Sequence, residues 1–251
     1  MSFFSNSVFP NTSAAYRALL LHFLDPGLLV TGDVLESAPR GMPIREWLGA
    51  SFSILQPSSD PITTLDPTRD LVVSAYTAKE FALYDSGTRS VEDFAAAAKF
   101  WRGLANEDGT INSAYGYLVW FRPLLPGGKT PWQWCVESIK ADPDTRQAVL
   151  YFNTPDFAKT GTKDFPCTMS AQFFLRGGRL DLLVYMRSQD LVLGYPYDIA
   201  WFCSLMDRMV ADLAKAGIPA VKGVYHHRVG SLHLYMKNQE LARKMVGQAA
   251  G

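Results

Sequence analysis

Cysteine is scarce in this chain: Cys135, Cys167 and Cys203 are the three in 251 residues. None of their spacings is short enough to clasp zinc or found a disulfide framework, so neither kind of scaffold is expected. Net charge is lacking too, with 24 Lys and Arg against 24 Asp and Glu. Without a basic field, a nucleic-acid polymer is disfavoured as a partner, while a local basic pocket for one phosphate remains compatible with the balance. No apolar run reaches the ~20 residues that span a bilayer, and Met1-Ser2-Phe3-Phe4-Ser5-Asn6 lacks the basic start of a signal peptide. A cytosolic protein without membrane contacts is the expectation. There is also no internal repeat, low-complexity tract, linker or glycine-rich nucleotide fingerprint. A single domain over residues 1–251 suits this length.

The periodicities that are present alternate between helix and strand. Apolar spacing predicts helices over Thr12 to Leu24 (capped by Thr12 or Ser13 and stopped by Asp25-Pro26-Gly27), Arg69 to Tyr84, Asp93 to Leu104, Trp132 to Lys140 and Asp198 to Ala216. Strands are expected over Leu28 to Gly32, Glu46 to Leu55, Gln147 to Asn153, Ala171 to Leu175, Leu180 to Met186, Val221 to His226 and Ser231 to Tyr235. Arg176-Gly177-Gly178 reads as a hairpin turn. The fold class is α+β, a mixed or mostly antiparallel sheet flanked by helices.

Only Cys167 among the thiols has a reactive-looking context. It follows Asp164-Phe165-Pro166 at a strand start, with Arg146 and Arg187 as candidate neighbours. A nearby cation lowers a thiol pKa and makes a nucleophile; the alternative is an ordinary buried cysteine, the reading favoured for Cys135 and Cys203. Arg40, Arg146 and Arg187 present the planar fork that suits phosphate, or are surface arginines. Asp198 follows Gly194-Tyr195-Pro196-Tyr197 and reads either as a site carboxylate or as the N-cap of the long helix. Glu80 lies on a helix whose other face is apolar. His233 sits between Leu232 and Leu234, where a satisfied core histidine is the simpler reading, and His226-His227 points to both sheet faces at once.

In order and spacing, several stretches together resemble the thymidylate synthase family over most of the chain. They are Phe100-Trp101-Arg102-Gly103-Leu104-Ala105-Asn106 through Asn112-Ser113-Ala114-Tyr115-Gly116, Asp142-Pro143-Asp144-Thr145-Arg146, Pro166-Cys167, Gln172-Phe173, Arg187-Ser188-Gln189-Asp190, Gly194-Tyr195-Pro196-Tyr197-Asp198 and Gly230-Ser231-Leu232-His233-Leu234-Tyr235. Within the family, Asp198, Cys167-Thr168, Ile111-Asn112-Ser113, Gly49-Ala50-Ser51-Phe52 and Ser231-Leu232-His233 are most similar to the cytidylate hydroxymethylases. The synthases usually carry asparagine at the Asp198 position and histidine after the cysteine.

The resemblance implies a site and a reaction. Cys167 would be the nucleophile toward ring carbon 6 of a pyrimidine nucleotide, with Glu80 ordering water and shuttling protons and Tyr115 assisting proton removal at carbon 5. Arg40, Arg187 and Ser188 would hold the phosphate, joined by Arg146 of a second subunit, which implies a homodimer. His233 and Tyr235 would bind the sugar, Gln172 would add to the substrate site, and Trp101, Asp190 and Gly194 would face 5,10-methylenetetrahydrofolate, the implied co-substrate; no metal is implied. Asp198 would read the base. Uracil offers a donor at N3 and an acceptor at O4, which one amide complements; cytosine offers the reverse, which a carboxylate sharing a proton with N3 complements. Gln147 stands where the family often has a second arginine, and Met236 to Gly251 stand where the synthases carry a longer closing segment. A methyl-transferring relative and a non-catalytic nucleotide binder are the competing readings.

Overall fold

The computed structural model describes residues 7–25, 27 and 34–248. The strand expected over Leu28 to Gly32 lies outside them, as does Pro26. Helix α1 (Thr12–Leu24) has the expected bounds, but its cap is Asn11 and not Thr12 or Ser13. Asn11 closes strand β1 (Ser7–Asn11) in extended backbone, and its Oδ1 accepts from the Ala14 amide at 2.8 Å.

One sheet carries the described strands. β2 (Leu35–Ser37), β3 (Ile44–Gln56), β4 (Val149–Tyr151), β5 (Thr168–Arg176), β6 (Arg179–Asp190) and β7 (Val221–Tyr235) join β1 in the order β1-β3-β7-β6-β5-β4, with β2 also paired to β3. β1 runs parallel to β3 and β6 parallel to β7, and the other pairings are antiparallel, so the sheet is mixed. β5 and β6 meet at Gly177 and Gly178, both at positive φ (55° and 75°), as a two-residue type I′ hairpin requires. Two expected strands, Val221 to His226 and Ser231 to Tyr235, are one: β7 continues through Arg228 and Val229, which pair with β3 and β6 on its two sides.

A parallel β6–β7 pair needs a crossover. Helix α5 (Tyr195–Lys215) supplies it, following α2 (Pro67–Ser86), α3 (Val91–Ala97) and α4 (Pro131–Ala141) and preceding a short α6 (Gln239–Met245). The long helix expected over Asp93 to Leu104 is interrupted. Ala98 is extended (φ −153°, ψ 120°), and a tighter 3₁₀ segment, Lys99–Leu104, follows. The break sets the ring of Trp101 edge-on to Phe94 at 5.1 Å.

Burial falls on one face of the sheet. Ala50, Phe52 and Ile54 of β3, Leu180, Leu182 and Val184 of β6, and Tyr225, His227 and Val229 of β7 are buried with Trp201, Phe202 and Met206 of α5. The alternate residues, among them Leu55, Tyr151 and Tyr185, are exposed on the opposite face. Gly116 lets a loop touch α2: a Cβ there would lie 2.0 Å from the Tyr84 carbonyl oxygen. That approach stacks Tyr115 on Tyr84. Among the described residues no helix is long and apolar enough to cross a membrane.

Candidate active site

The loop ahead of β5 and the end of β6 form one wall. The Arg187 amide donates to the Cys167 carbonyl at 2.8 Å. Its guanidinium donates to the carbonyls of Phe165 (2.5 Å) and Pro166 (3.1 Å), reaches Cys167 Sγ at 3.6 Å, and lies over the Phe165 ring. Asp164 anchors the loop from below. It accepts from the amides of Asn112 (2.6 Å) and Ser113 (2.7 Å) and from Ser113 Oγ (2.5 Å), while Asn112 Nδ2 donates to its carbonyl. Next to the thiol, the Tyr115 hydroxyl accepts from Thr168 N (3.2 Å) and Oγ1 (3.0 Å).

The expected cation beside the thiol is therefore Arg187, but its effect is outweighed. Burial pushes the Cys167 thiol up to about 11; the Arg187 charge opposes this, and the charges of Asp198 and Asp164 add to it. Removing a thiolate from water costs more than one already shared guanidinium returns. The raised value favours the thiol over the thiolate near neutral pH.

Helices α2 and α5 supply the facing wall. Glu80 is buried on α2 and accepts from Tyr76 at 3.1 Å, and Tyr76 in turn accepts from Trp101 Nε1 at 3.0 Å. Asp198 is not an N-cap: α5 starts at Tyr195, its cap position is Gly194, and the Asp198 carboxylate accepts from Gln189 Nε2 at 3.0 Å. Gly194 makes room for it, since a Cβ there would lie 3.3 Å from Asp198 Oδ2 and 3.1 Å from the Asp190 carbonyl.

Burial raises both acids. Glu80 is pushed to about 8, with the Asp198 charge adding to burial. Asp198 is pushed to about 7, with Gln189 opposing and Asp190 adding. Because each folded-state value lies above the unfolded one, the folded protein holds more protons between ~pH 4 and ~pH 8 and loses stability as pH rises through that window. Glu80→Gln removes one such group. Its Tm is expected to fall less than the wild-type Tm between ~pH 5 and ~pH 8.5, as read by calorimetry; parallel Tm curves would contradict the burial of this charge.

The remaining predicted residues divide by position. Ser188 and Asp190 on β6 pair with Ser231 and His233 on β7. Asp190 Oδ1 accepts from Val192 N at 2.7 Å, and His233 lies edge-on to Tyr235 at 5.1 Å. Burial raises the Tyr235 hydroxyl, with the Asp190 charge adding and the Arg40 charge opposing. Arg40, exposed in the turn Pro39–Gly41, is the one non-glycine residue with positive φ (54°) among the described residues. Arg146 and Gln172 are not brought to the thiol. Arg146 is exposed, and its carbonyl accepts from Gln172 Nε2 at 2.7 Å beside the uncovered sheet face.

Sequence reasoning assigned no role to Asp164, Gln189 or His227, although each lay in or beside a quoted stretch. Asp164→Ala strands two buried amides and frees the Cys167 loop. It is expected to cost about 3 kcal/mol in urea unfolding and to lower turnover along with stability; an unchanged unfolding midpoint would show that the loop does not depend on this anchor.

Among the described residues no cluster of His, Cys, Asp or Glu is arranged to hold a metal. The buried Trp101, its indole N–H already tied to Tyr76, offers an apolar wall, and Asp190 stands at the cleft with Oδ2 outside its backbone hydrogen bonds.

The Cys167 loop, the arginine beside the thiol, buried Glu80 and half-buried Asp198 make up the candidate site. The family model for thymidylate synthase matches residues 55–250, and the chain belongs to that family, whose members transfer one-carbon units. It is similar to the deoxycytidylate 5-hydroxymethyltransferase of Enterobacteria phage T6, 32% identical over 171 residues that cover 65% of this chain and 68% of that protein. The protein of the same name from Enterobacteria phage T4 is 31% identical over the same coverage.

Proposed function

We propose that this enzyme hydroxymethylates carbon 5 of a cytidine monophosphate, dCMP ahead of CMP, using 5,10-methylenetetrahydrofolate. The observation that carries the reading is Asp198: a half-buried carboxylate whose charge acts on both Glu80 and Cys167, already accepting one hydrogen bond from Gln189. A carboxylate there accepts from the exocyclic amine of cytosine, and one proton shared with N3 completes the pair. The similarity to the phage deoxycytidylate enzymes supports the same base and favours the deoxy sugar.

The residues divide the work. Cys167 adds its sulfur to carbon 6, and the negative charge that appears at carbon 5 makes that carbon the nucleophile toward the folate's one-carbon unit. Arg187, Ser188 and Arg40 bind the phosphate, and His233 and Tyr235 hold the sugar. Tyr115 assists removal of the carbon 5 proton. Loss of tetrahydrofolate leaves an exocyclic methylene, to which Glu80 directs water. Its oxygen adds to that carbon as one water proton passes to Glu80, and Cys167 departs as a thiolate while the ring double bond re-forms. Glu80 suits proton shuttling because its raised pKa keeps both protonation states accessible near neutral pH.

The active form in this reading is a homodimer in a single catalytic fold, cytosolic, joined through the sheet face that leaves Leu55, Tyr151 and Tyr185 exposed. Arg146 at the border of that face would reach the phosphate of the neighbouring subunit.

The test is turnover with methylenetetrahydrofolate and each of dCMP, CMP, dUMP and UMP, read by nucleotide mass. A hydroxymethyl group gained by dCMP, with CMP slower, is the expected result. A methyl group, or product from the uridylates alone, would overturn the reading.

A further inference from the structure

Behind Asp198 runs a hydrogen-bonded chain that touches neither the thiol nor the phosphate arginine. Gln189 Nε2 donates to Asp198 Oδ2 at 3.0 Å, Gln189 Oε1 meets His227 Nε2 at 2.8 Å, and His227 Nδ1 meets the Tyr225 hydroxyl at 2.7 Å. Gln189, His227 and Tyr225 are buried, at 2%, 0% and 0% exposure. They come from the parallel strands β6 and β7; Gln189 is paired with Leu232 and His227 with Val184, and their buried side chains meet across that offset.

The far end sets the direction of the whole chain. The Tyr225 hydroxyl has no hydrogen-bond partner other than His227 among the described residues. Buried, its O–H must donate to Nδ1 or go unpaired, at a cost of about 1–3 kcal/mol. Burial holds the His227 ring neutral, its pKa pulled down to about 3. A neutral ring that accepts at Nδ1 carries its proton at Nε2. That N–H donates to the Gln189 carbonyl, which turns the Gln189 NH₂ toward Asp198. Oδ2 of Asp198 is thus held as an acceptor by a series of three bonds that begins in the core.

We propose that Gln189, His227 and Tyr225 are positioning residues that keep Asp198 Oδ2 an acceptor facing N3 of the bound cytosine, so that the proton shared by the pair rests on the ring nitrogen. The inference rests on the cytidylate reading above. Its balance is simple: a neutral acid with neutral cytosine becomes a carboxylate with N3-protonated cytosine, and no other reactant takes part. The donor on Oδ2 makes that oxygen a poorer base, which favours the second form. Protonated at N3, the ring draws electrons from carbon 6 and accepts the Cys167 sulfur more readily. Asp190 at the end of β6 pushes the proton affinity of this carboxylate up, and Glu80 on α2 feels its charge. The relay is the one arrangement here that pulls it down.

The experiment observes dCMP labelled with ¹⁵N at N3, bound to the full chain carrying Cys167→Ala so that no adduct forms. The N3 resonance is expected in the protonated range. Adding Gln189→Leu should return it toward the unprotonated range and, in the thiol-bearing enzyme, lower kcat on dCMP by roughly tenfold or more with a smaller change in KM. His227→Gln, whose amide N–H replaces Nε2–H, should keep N3 protonated, whereas His227→Phe should not. This pair also serves if Gln189→Leu folds poorly, because a merely structural role would not separate a rescuing variant from a disabling one. An N3 already unprotonated with the relay intact, or one still protonated in both Gln189→Leu and His227→Phe, overturns the inference while cytidylate turnover stands. Failure of the thiol-bearing enzyme to act on any cytidylate overturns the reading beneath it and the inference with it.

Discussion

Asparagine in place of Asp198 is expected to turn preference from cytidylates to uridylates. The Gln189 N–H that now meets Oδ2 would take the new amide's oxygen and leave its NH₂ free toward position 4 of the ring. Uracil supplies the complement, a donor at N3 and an acceptor at O4, while cytosine leaves an NH₂ facing an NH₂. Sites that strand buried polar groups reject the wrong ligand by ~10⁴ or more, so the ratio of kcat/KM for dCMP to that for dUMP should move by about that factor across the substitution. Because Asp198 lies in the first turn of α5 and not at its cap, the helix should survive. A variant that loses stability but keeps its base preference would return Asp198 to a structural role.

Removing the thiol is expected to have the other large effect. Cys167→Ala leaves Arg187 bonded to the carbonyls of Phe165 and Pro166, a contact that does not involve sulfur. The phosphate site should stay formed and dCMP binding should change little, while turnover falls by at least ~10⁴, the scale of losing a covalent nucleophile. Cys167→Ser should behave almost alike, since a hydroxyl in this buried setting is a far weaker nucleophile than a thiol. Calorimetric binding beside steady-state rates separates the two quantities. A Cys167→Ala enzyme with near-normal rates would contradict covalent catalysis by this thiol.

Much of this site was legible because the chemistry is written in short, ordered stretches. Cys167 and Arg187 could be paired from the resemblance alone, and the structure puts guanidinium and sulfur 3.6 Å apart. The mixed sheet and the β5–β6 hairpin followed from alternation and paired glycines. What stayed hidden depends on register and desolvation. Gln189 and His227 are 38 residues apart in sequence and five register positions apart across the β6–β7 pairing, and only the folded sheet brings their side chains together. His227 read as a residue of ambiguous face because β7 was divided in two; as one strand, it turns His227 inward. Adjacent arginines suggested an activated thiol, but a sequence does not show how much water a loop excludes, and burial reversed the sign. The cap alternative for Asp198 came from reading Tyr195-Pro196-Tyr197 as a turn; a proline in a helix's first turn is tolerated, and the helix begins three residues earlier.

The central claim is that water, and not hydride, completes the reaction on a cytidylate. The most direct measurement is turnover of dCMP with methylenetetrahydrofolate in water enriched in heavy oxygen, with mass analysis of the nucleotide and the absorbance of dihydrofolate followed together. The account requires a hydroxymethyl group that carries the heavy oxygen and no dihydrofolate. A methyl group formed in step with dihydrofolate would contradict it.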